Sequence, residues 1–201
     1  MKLTTTTQVS VDGVMQGPGG SGEDRRGGFE RGGWAMGHFD SKVLGFLNEH
    51  FHRADAFLFG RRTYELFAGY WGVRGDSTPI AAALNSRPKY VATTGLSEPQ
   101  WADTTVLAGD LRAQVQLLKD APGGELQVHG SGKLIRWLLD NGFVDEMNLL
   151  TVPVVVGQGT RLFADPGPDL ALDLIDSRAF PGGTMLRVYR PAGRPRYAAA
   201  G

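Results

Sequence analysis

Two arginines and a threonine follow a glycine directly after a short apolar run of the sequence. Gly60 ends the run ADAFLF, and Arg61, Arg62 and Thr63 come next, where a helical pattern begins. Cations at a helix N-terminus oppose the helix dipole, and a bound anion would relieve that conflict. These four residues therefore form a first candidate phosphate site, with solvated surface arginines as the alternative.

A second glycine turn lies between the run ELQVH and the helical pattern KLIRWLLDNG. It consists of Gly130, Ser131, Gly132 and Lys133. Small residues let the backbone approach a pyrophosphate, and the Ser131 hydroxyl can donate a hydrogen bond to it. The alternative is a tight turn that needs glycine only for packing, and Leu134 excludes a Walker loop because it stands where that motif has a hydroxyl. Two such sites in one sheet favour a dinucleotide.

Two other patterns in the sequence do not indicate a site. Gly17, Gly19 and Gly22 match the dinucleotide fingerprint literally, but a charged, glycine-rich loop follows them where that fingerprint requires a helix. His50 and His52 would point about 200° apart around a helix and cannot bind one metal ion from the same face. No metal site is therefore predicted.

The elements that must position these residues alternate between strands and helices. Asp40 is the predicted N-cap of a helix at Ser41–His52, with Val43, Leu44, Leu47 and Phe51 as its apolar stripe. Strand patterns occur at residues 2–11, 54–59, 89–93, 104–107, 125–129, 146–156, 170–177 and 184–190. Further helical patterns occur at residues 61–71, 78–85, 111–120 and 133–142. This order predicts an α/β fold with a mainly parallel sheet and an antiparallel C-terminal edge.

The composition narrows the possible partners and the number of domains. The 201 residues include 21 Lys plus Arg, 21 Asp plus Glu and no Cys, so neither nucleic acid nor an anionic membrane is an expected partner. No signal peptide or long apolar span is evident, which predicts a cytoplasmic protein. Residues 1–190 are predicted to form one domain, with a long loop at residues 17–33 and a flexible tail at residues 191–201.

Five segments in this order resemble dihydrofolate reductases. They are SVDGVM, FGRRTYE, KYVATT, VHGSGKL and TVPVVVGQGTRLF, and the resemblance covers residues 2–190. The combination is most similar to stand-alone bacterial proteins that resemble the reductase C-terminal domain of riboflavin biosynthesis. The resemblance implies a dihydrofolate-reductase-like sheet with helices on both faces, and a homodimer.

The resemblance also implies NADPH as the cofactor. The first glycine turn would hold its phosphates, the second would follow the pyrophosphate, and Arg61 or Arg62 would favour NADPH over NADH. Thr93 and Thr94 would lie near the adenosine 2′-phosphate, and Asp12 and Gly13 near the nicotinamide. The implied cofactor residues are Asp12, Gly13, Gly60, Arg61, Arg62, Thr63, Thr93, Thr94, Gly130, Ser131, Gly132, Lys133 and Leu134.

The resemblance also indicates where the substrate would bind. The spacing of Trp34 and Asp40 is similar to that of the tryptophan and the buried acid of dihydrofolate reductases. Asp40 is then the catalytic acid, with a helix N-cap as the alternative. Trp34, Phe39 and Trp71 are candidates for an aromatic wall, or else core residues. The expected function is NADPH-dependent reduction of a small heteroaromatic, pterin- or pyrimidine-like molecule. The alternatives are a riboflavin-pathway pyrimidine reductase, dihydrofolate reductase itself, and a non-catalytic nucleotide-binding protein.

Overall fold

The first strand, β1 (Lys2–Ser10), lies in the middle of a sheet whose other strands all come later in the chain. In the computed structural model, which describes residues 1–163 and 166–198, eight strands join in one sheet. The others are β2 (Ala54–Gly60), β3 (Lys89–Ala92), β4 (Thr104–Leu107), β5 (Glu125–His129), β6 (Glu146–Val152), β7 (Leu172–Ala179) and β8 (Met185–Pro191). Their order is β4-β3-β2-β5-β1-β6-β8-β7.

The direction of the strands confirms the predicted fold class. β1 pairs in parallel with β5 and β6, and β2 pairs in parallel with β3 and β5. β8 pairs antiparallel with β6 and with β7, which forms the edge. The sheet is thus mainly parallel with an antiparallel C-terminal edge, as expected when strand–helix units precede a terminal hairpin.

Five α-helices in the described part of the chain cover the two faces of the sheet. They are α1 (Ser41–His52), α2 (Arg61–Phe67), α3 (Pro79–Ser86), α4 (Leu111–Asp120) and α5 (Gly132–Asp140). Leucine, isoleucine and valine side chains of α4 and α5 pack with β1, β2 and β5 in one core cluster. Phenylalanine and alanine side chains of α1 and α3 pack in a second cluster that includes Phe57 and Phe59 of β2.

The buried face of α1 differs from the predicted apolar stripe at one position. Val43, Leu47 and Phe51 are buried as predicted, but Leu44 is exposed and His50 is buried in its place. His50 lies seven residues after Val43 and three after Leu47, so it belongs to the same helical face. The predicted stripe left out His50 because histidine is a polar residue, so an apolar pattern in the sequence does not include it.

Several predicted segments differ in their ends, including the strand predicted at residues 146–156, which ends at Val152. The predicted helix at residues 61–71 is the short helix α2, followed by one π-helical turn at Ala68–Gly72. The predicted tail does not begin at residue 191, because β8 includes Pro191 and the Ala192 amide donates to the Ala171 carbonyl. Residues 199–201 of that tail lie outside the described residues.

Within the described ranges, no helix is long and apolar enough to cross a membrane.

Candidate functional site

A cavity of about 740 Å³ opens at the carboxyl ends of β1, β2 and β5. This is the edge of a parallel sheet where ligands usually bind, because helix N-termini converge there. Its lining includes Thr6, Thr7, Gln8, Met15, Gln16, Asp24, Arg26, Phe51, Gly60, Arg61, Arg62, Thr63, His129, Gly130, Ser131, Gly132, Lys133, Leu134, Arg136 and Trp137. Both glycine turns singled out in the sequence are therefore on one cavity.

The first glycine turn joins β2 to α2. Gly60 has an extended backbone and is the N-cap of α2, so the helix begins at Arg61. Arg61 Nε lies 2.7 Å from Glu65 Oε1 one turn along the helix, and Arg62 Nη2 lies 3.8 Å from Asp24 Oδ1. Both guanidinium groups remain about half exposed, so each keeps donors available for an anion.

The second glycine turn joins β5 to α5 through two residues in the left-handed region. Gly130 has φ +55°, and Ser131, the N-cap of α5, has φ +51°. A Cβ atom at position 130 would lie 3.2 Å from Thr63 Oγ1. Glycine is thus required here both by the backbone conformation and by the close approach of the first turn.

Two hydrogen bonds join the two glycine turns to each other. The Gly60 amide donates to Ser131 Oγ at 3.0 Å, and the Ser131 amide donates to Thr63 Oγ1 at 2.9 Å. Each serine or threonine hydroxyl thereby satisfies an amide at a helix start that would otherwise need water or a ligand. The N-termini of α2 and α5 are consequently held side by side on the cavity wall.

A third part of the lining comes from the loop at residues 17–33, where sequence reasoning assigned no function. Gln16 fixes this loop: its Nε2 donates to the carbonyls of Asp24 and Arg26 at 3.2 and 3.0 Å, and its Oε1 accepts from the Thr160 amide at 2.9 Å. Trp34 Nε1 donates to the Gln16 carbonyl at 2.8 Å. The loop is therefore an ordered rim, bonded to a segment far along the chain.

The inner wall of the cavity is polar and aromatic. Thr6 and His129 are register partners on β1 and β5, so their side chains project from the same face of the sheet. The His129 ring stacks on Phe51 with 4.0 Å between ring centroids, and all three residues line the cavity. Burial lowers the pKa of His129 well below its usual value.

His50 supports this wall from behind. Its Nδ1 lies 2.8 Å from Arg53 Nη2, and its Nε2 lies 2.6 Å from Thr6 Oγ1. Because a guanidinium can only donate, Nδ1 accepts and Nε2 carries the proton that is donated to Thr6. Burial lowers the pKa of His50 to about 3, so the ring is neutral at neutral pH.

Asp12 and Gly13 lie beside the cavity rather than on it. Asp12 accepts from the Val156 and Gly157 amides at 2.9 Å each. Its hydrogen bond from Ser10, together with these amides, lowers its pKa to about 2. Asp12 thus fixes the neighbouring loop, and the contact of Asp12 and Gly13 with the nicotinamide stays a prediction.

Asp40 is the helix cap that was the alternative to a catalytic acid. Its Oδ1 accepts from the Lys42 and Val43 amides, and its Oδ2 accepts from the Gly182 amide at 2.7 Å. These amides, that of Val43 first, lower the pKa of Asp40. Asp40 is absent from the lining residues of the cavity, so the structure gives no support to its catalytic assignment.

The other predicted residues are also outside the cavity lining. Thr93 and Thr94 follow β3, where Thr93 Oγ1 accepts from the Gly95 amide at 3.1 Å, next to Arg61. Trp34 packs in a small core with Phe29, and Phe39 and Trp71 pack against the clusters of α1 and α3. The alternative of core packing, which the sequence left open for these aromatic residues, fits their positions.

The structure adds lining residues that the sequence did not indicate. Gln16, Asp24 and Arg26 belong to a segment without periodicity, and Arg136 lies one turn into α5. Arg136 Nη1 donates to the Leu162 carbonyl at 2.7 Å. Across the described ranges, no group of three or more His, Asp or Glu side chains is placed to hold a metal ion.

Comparison with known proteins gives one family and several distant relatives. The family model of the RibD C-terminal domain matches residues 1–186. The uncharacterized protein YyaP of Bacillus subtilis strain 168 is 27% identical over 184 residues, which cover 90% of each chain. YwjB of the same organism is 23% identical over 182 residues, covering 90% of this chain and 94% of YwjB.

Two solved structures share the fold. A putative riboflavin biosynthesis protein from Shewanella sp. PV-4 superposes with a TM-score of 0.70 at 22% identity, covering 96% of this chain and 99% of that chain. A pyrimidine reductase-like protein from Corynebacterium diphtheriae superposes with a TM-score of 0.63 at 14% identity, covering 95% and 92%. These similarities establish the dihydrofolate-reductase-like architecture.

Proposed function

The chain belongs to the RibD C-terminal domain family, and on that premise we propose that it is an NADPH-dependent reductase of a small heteroaromatic, pterin- or pyrimidine-like molecule. The observation that carries the proposal is the pairing of two glycine turns on one cavity. Each turn begins a helix, so the first amides of α2 and α5 and the side chains of two arginines lie on the same cavity, and the bonds between the turns hold them together. This is the chemistry of a site for a phosphorylated dinucleotide.

The described residues fit such a cofactor. Gly60, Gly130 and Gly132 lie on the cavity at the starts of α2 and α5, and Arg61 and Arg62 supply charge for a 2′-phosphate. Lys133 adds a third cation at the start of α5. When bound, NADPH supplies a hydride from the C4 atom of its nicotinamide ring.

The inner wall orients the substrate in this proposal. Thr7 Oγ1 is buried and lacks a hydrogen-bond partner within residues 1–163 and 166–198, and Thr7 lines the cavity. A buried hydroxyl without a partner is costly unless a ligand completes it. Successive side chains of β1 point to opposite faces, so Thr6 would bond a polar edge of a flat ring on the side of Phe51 and His129, which exclude water, and Thr7 would bond the ligand from the other side of β1. Asp40 has no catalytic part in this proposal.

The first test is a titration with NADPH and NADH that follows quenching of tryptophan fluorescence. Tight NADPH binding is expected, and Arg62→Ala is expected to weaken it about tenfold, because one charge-assisted hydrogen bond to phosphate is lost. Arg61→Ala tests the neighbouring guanidinium in the same way. Failure of the protein to bind either nucleotide would exclude the reductase.

Arg112→Ala is the matched control for this titration. Arg112 is the second residue of α4, just as Arg62 is the second residue of α2, and it is exposed away from the cavity. Its replacement is expected to leave NADPH affinity unchanged. An equal loss of NADPH affinity in Arg62→Ala and Arg112→Ala would show that the affinity depends on the net charge of the protein and not on the position of Arg62.

Turnover separates an enzyme from a non-catalytic nucleotide-binding protein. NADPH oxidation would be followed with dihydrofolate, a dihydropterin and a ribosylamino-pyrimidine as hydride acceptors. Multiple turnovers with one of them would support the reductase and would also decide between the folate and riboflavin alternatives. Nucleotide binding without turnover of any of these acceptors would favour the non-catalytic protein.

A homodimer through β7 is part of the proposal. β7 is the edge strand of the sheet, and its side chains from Asp173 to Ala179 are all exposed, Leu174 at 56% and Ile175 at 44%. An exposed edge strand with apolar side chains pairs readily with another chain. A second copy with its β7 antiparallel to the first would extend the sheet across a two-fold axis and cover Leu174 and Ile175.

The dimer predicts the result of a single substitution. Leu174→Lys is expected to convert the dimer to a monomer in sedimentation velocity, because it places a charge in the buried interface between the two β7 strands. Leu117→Lys changes an exposed leucine of α4, 69% accessible, and is expected to remain dimeric. A wild-type protein that sediments as a monomer would contradict the proposed interface.

A further inference from the structure

Asp24 is a buried carboxylate on the cavity rim that the function proposed above does not use. Its side chain is 7% exposed and lines the cavity. It accepts four hydrogen bonds from Arg26: from the backbone amide at 3.2 Å, from Nε at 2.8 and 3.1 Å, and from Nη2 at 2.5 Å. Its Oδ1 also lies 3.8 Å from Arg62 Nη2.

The position of Asp24 is fixed by the loop that carries it. Gln16 bonds the carbonyls of both Asp24 and Arg26, and it is itself bonded to Thr160. Gln16 is 6% exposed, so these bonds are shielded from competing water. The carboxylate is therefore held at one place relative to α2, rather than being free to follow the Arg62 side chain.

The charges around Asp24 favour a positioning role. The hydrogen bonds from Arg26 hold the pKa of Asp24 below its usual value, so the carboxylate is ionised at neutral pH. One carboxylate faces two guanidinium groups, so Asp24 alone does not neutralise both Arg26 and Arg62. Arg62 is 43% exposed and approaches Asp24 through one nitrogen, so its remaining donors can face the cavity.

We propose that Asp24, oriented by Arg26 and Gln16, is a positioning residue that holds the Arg62 guanidinium toward a phosphate group of the bound nicotinamide nucleotide. This inference rests on the proposed function, and it assigns a role to the loop at residues 17–33: the loop supplies the carboxylate that orders a cationic side chain of α2. Without that carboxylate, Arg62 would be free to extend into water, and the rotamer entropy lost on binding phosphate would rise.

The proposal predicts an effect opposite to that of simple electrostatics. Removing a negative charge beside an anion site strengthens anion binding by Coulomb's law. A positioning role predicts instead that Asp24→Asn weakens NADPH binding, by about fivefold for the partial loss of one ordered ion contact. Asp24→Glu, which keeps the charge, is expected to restore part of the affinity.

The experiment is fluorescence titration of the whole protein with NADPH and with NADH, in four variants. Asp24→Asn is compared with wild type, and the same change is made in an Arg62→Ala background. If Asp24 acts through Arg62, the second comparison should show less than about twofold further loss of NADPH affinity. If Asp24→Asn loses affinity for NADPH alone, the 2′-phosphate is the group that Arg62 contacts. If it loses affinity for both nucleotides, that group is the pyrophosphate. Glu30→Gln removes an exposed carboxylate of the same loop and is expected to leave both affinities unchanged.

Two results would overturn the assignment. One is unchanged or tighter NADPH binding by Asp24→Asn. The other is an equal loss in the wild-type and Arg62→Ala backgrounds, which would mean that Asp24 acts on the loop and not through Arg62. Wild-type protein that binds neither nucleotide would instead contradict the proposed function itself, so the two failures are distinct.

Discussion

Lowering the pH from about 6.5 to about 4.5 is expected to reduce the free energy of unfolding by about 2 kcal/mol through His50, and by more when His129 is included, because both histidines are buried as neutral rings. His50 and His129 have pKa values lowered by burial, that of His50 to about 3. In the unfolded chain each would titrate near 6.5. Above that pH neither state binds the proton, and stability is complete.

Below pH 6.5 only the unfolded chain takes up the two protons, so stability falls as the pH falls. Each histidine contributes a slope that approaches about 1.4 kcal/mol per pH unit. The expected loss is a substantial part of the total stability of a typical domain, which is about 5–15 kcal/mol. Because His129 lines the cavity, the nucleotide site and the fold should be lost together.

Urea unfolding at a series of pH values above 4.5 measures this slope. His50→Gln and His129→Phe should each reduce this slope, since each replaces one titrating ring. His52→Gln is the control, because His52 is on the same helix but exposed. A stability profile that is flat across this range in the wild type would refute the assignment of two buried neutral rings.

The second large effect is expected at the bonds between the two glycine turns. Thr63→Val removes the hydroxyl that accepts from the Ser131 amide, and Ser131→Ala removes the hydroxyl that accepts from the Gly60 amide. Each change leaves a partly buried amide without its partner, at a cost of about 1–3 kcal/mol in stability. We expect NADPH affinity to fall by about 10-fold to 100-fold in each variant, since the two helix starts would separate.

Thr63→Ser is the matched control for the first of these variants. It keeps the oxygen atom and removes only a methyl group, so both the unfolding free energy and the NADPH affinity should stay near those of the wild type. Thr63→Val with full affinity and full stability would show that the bond to the Ser131 amide does not hold the turns together.

The strands and helices around the site were predictable because local signals and tertiary packing agree there. Asp40 before an apolar stripe predicts a helix at Ser41–His52, which is where α1 begins and ends. The two glycine turns were predictable for a similar reason, because each is a strand–helix junction of a parallel sheet. Nine of the predicted cofactor residues line the cavity: Gly60, Arg61, Arg62, Thr63, Gly130, Ser131, Gly132, Lys133 and Leu134.

The rim of the cavity was not predictable from the sequence. Gln16 and Thr160 meet only in the folded chain, and Asp24 follows a run of glycines without any periodic pattern. The role of Asp40 was ambiguous for another reason. Aspartate caps helices and can also donate protons, so its residue type fits both roles. The three amides that bond its carboxylate, seen only in the structure, show the capping role. Spacing to Trp34 alone could not decide between them.

The central place of β1 has a consequence for the order in which the chain folds during synthesis. Lys2 pairs with Glu125 of β5, and Thr4 pairs with Glu146 of β6, so β1 emerges from the ribosome long before either neighbour exists. Contacts this distant in sequence form late, after a large loop-closure entropy has been overcome. Thr6 and Thr7 on β1 complete the cavity wall, and the cavity therefore closes only after β6 has been made. A nucleotide could then stabilise the finished fold but could not guide the early steps of folding. Until β5 and β6 have been made, the nascent β1 depends on chaperones, or on its own polar threonines, to avoid misassembly.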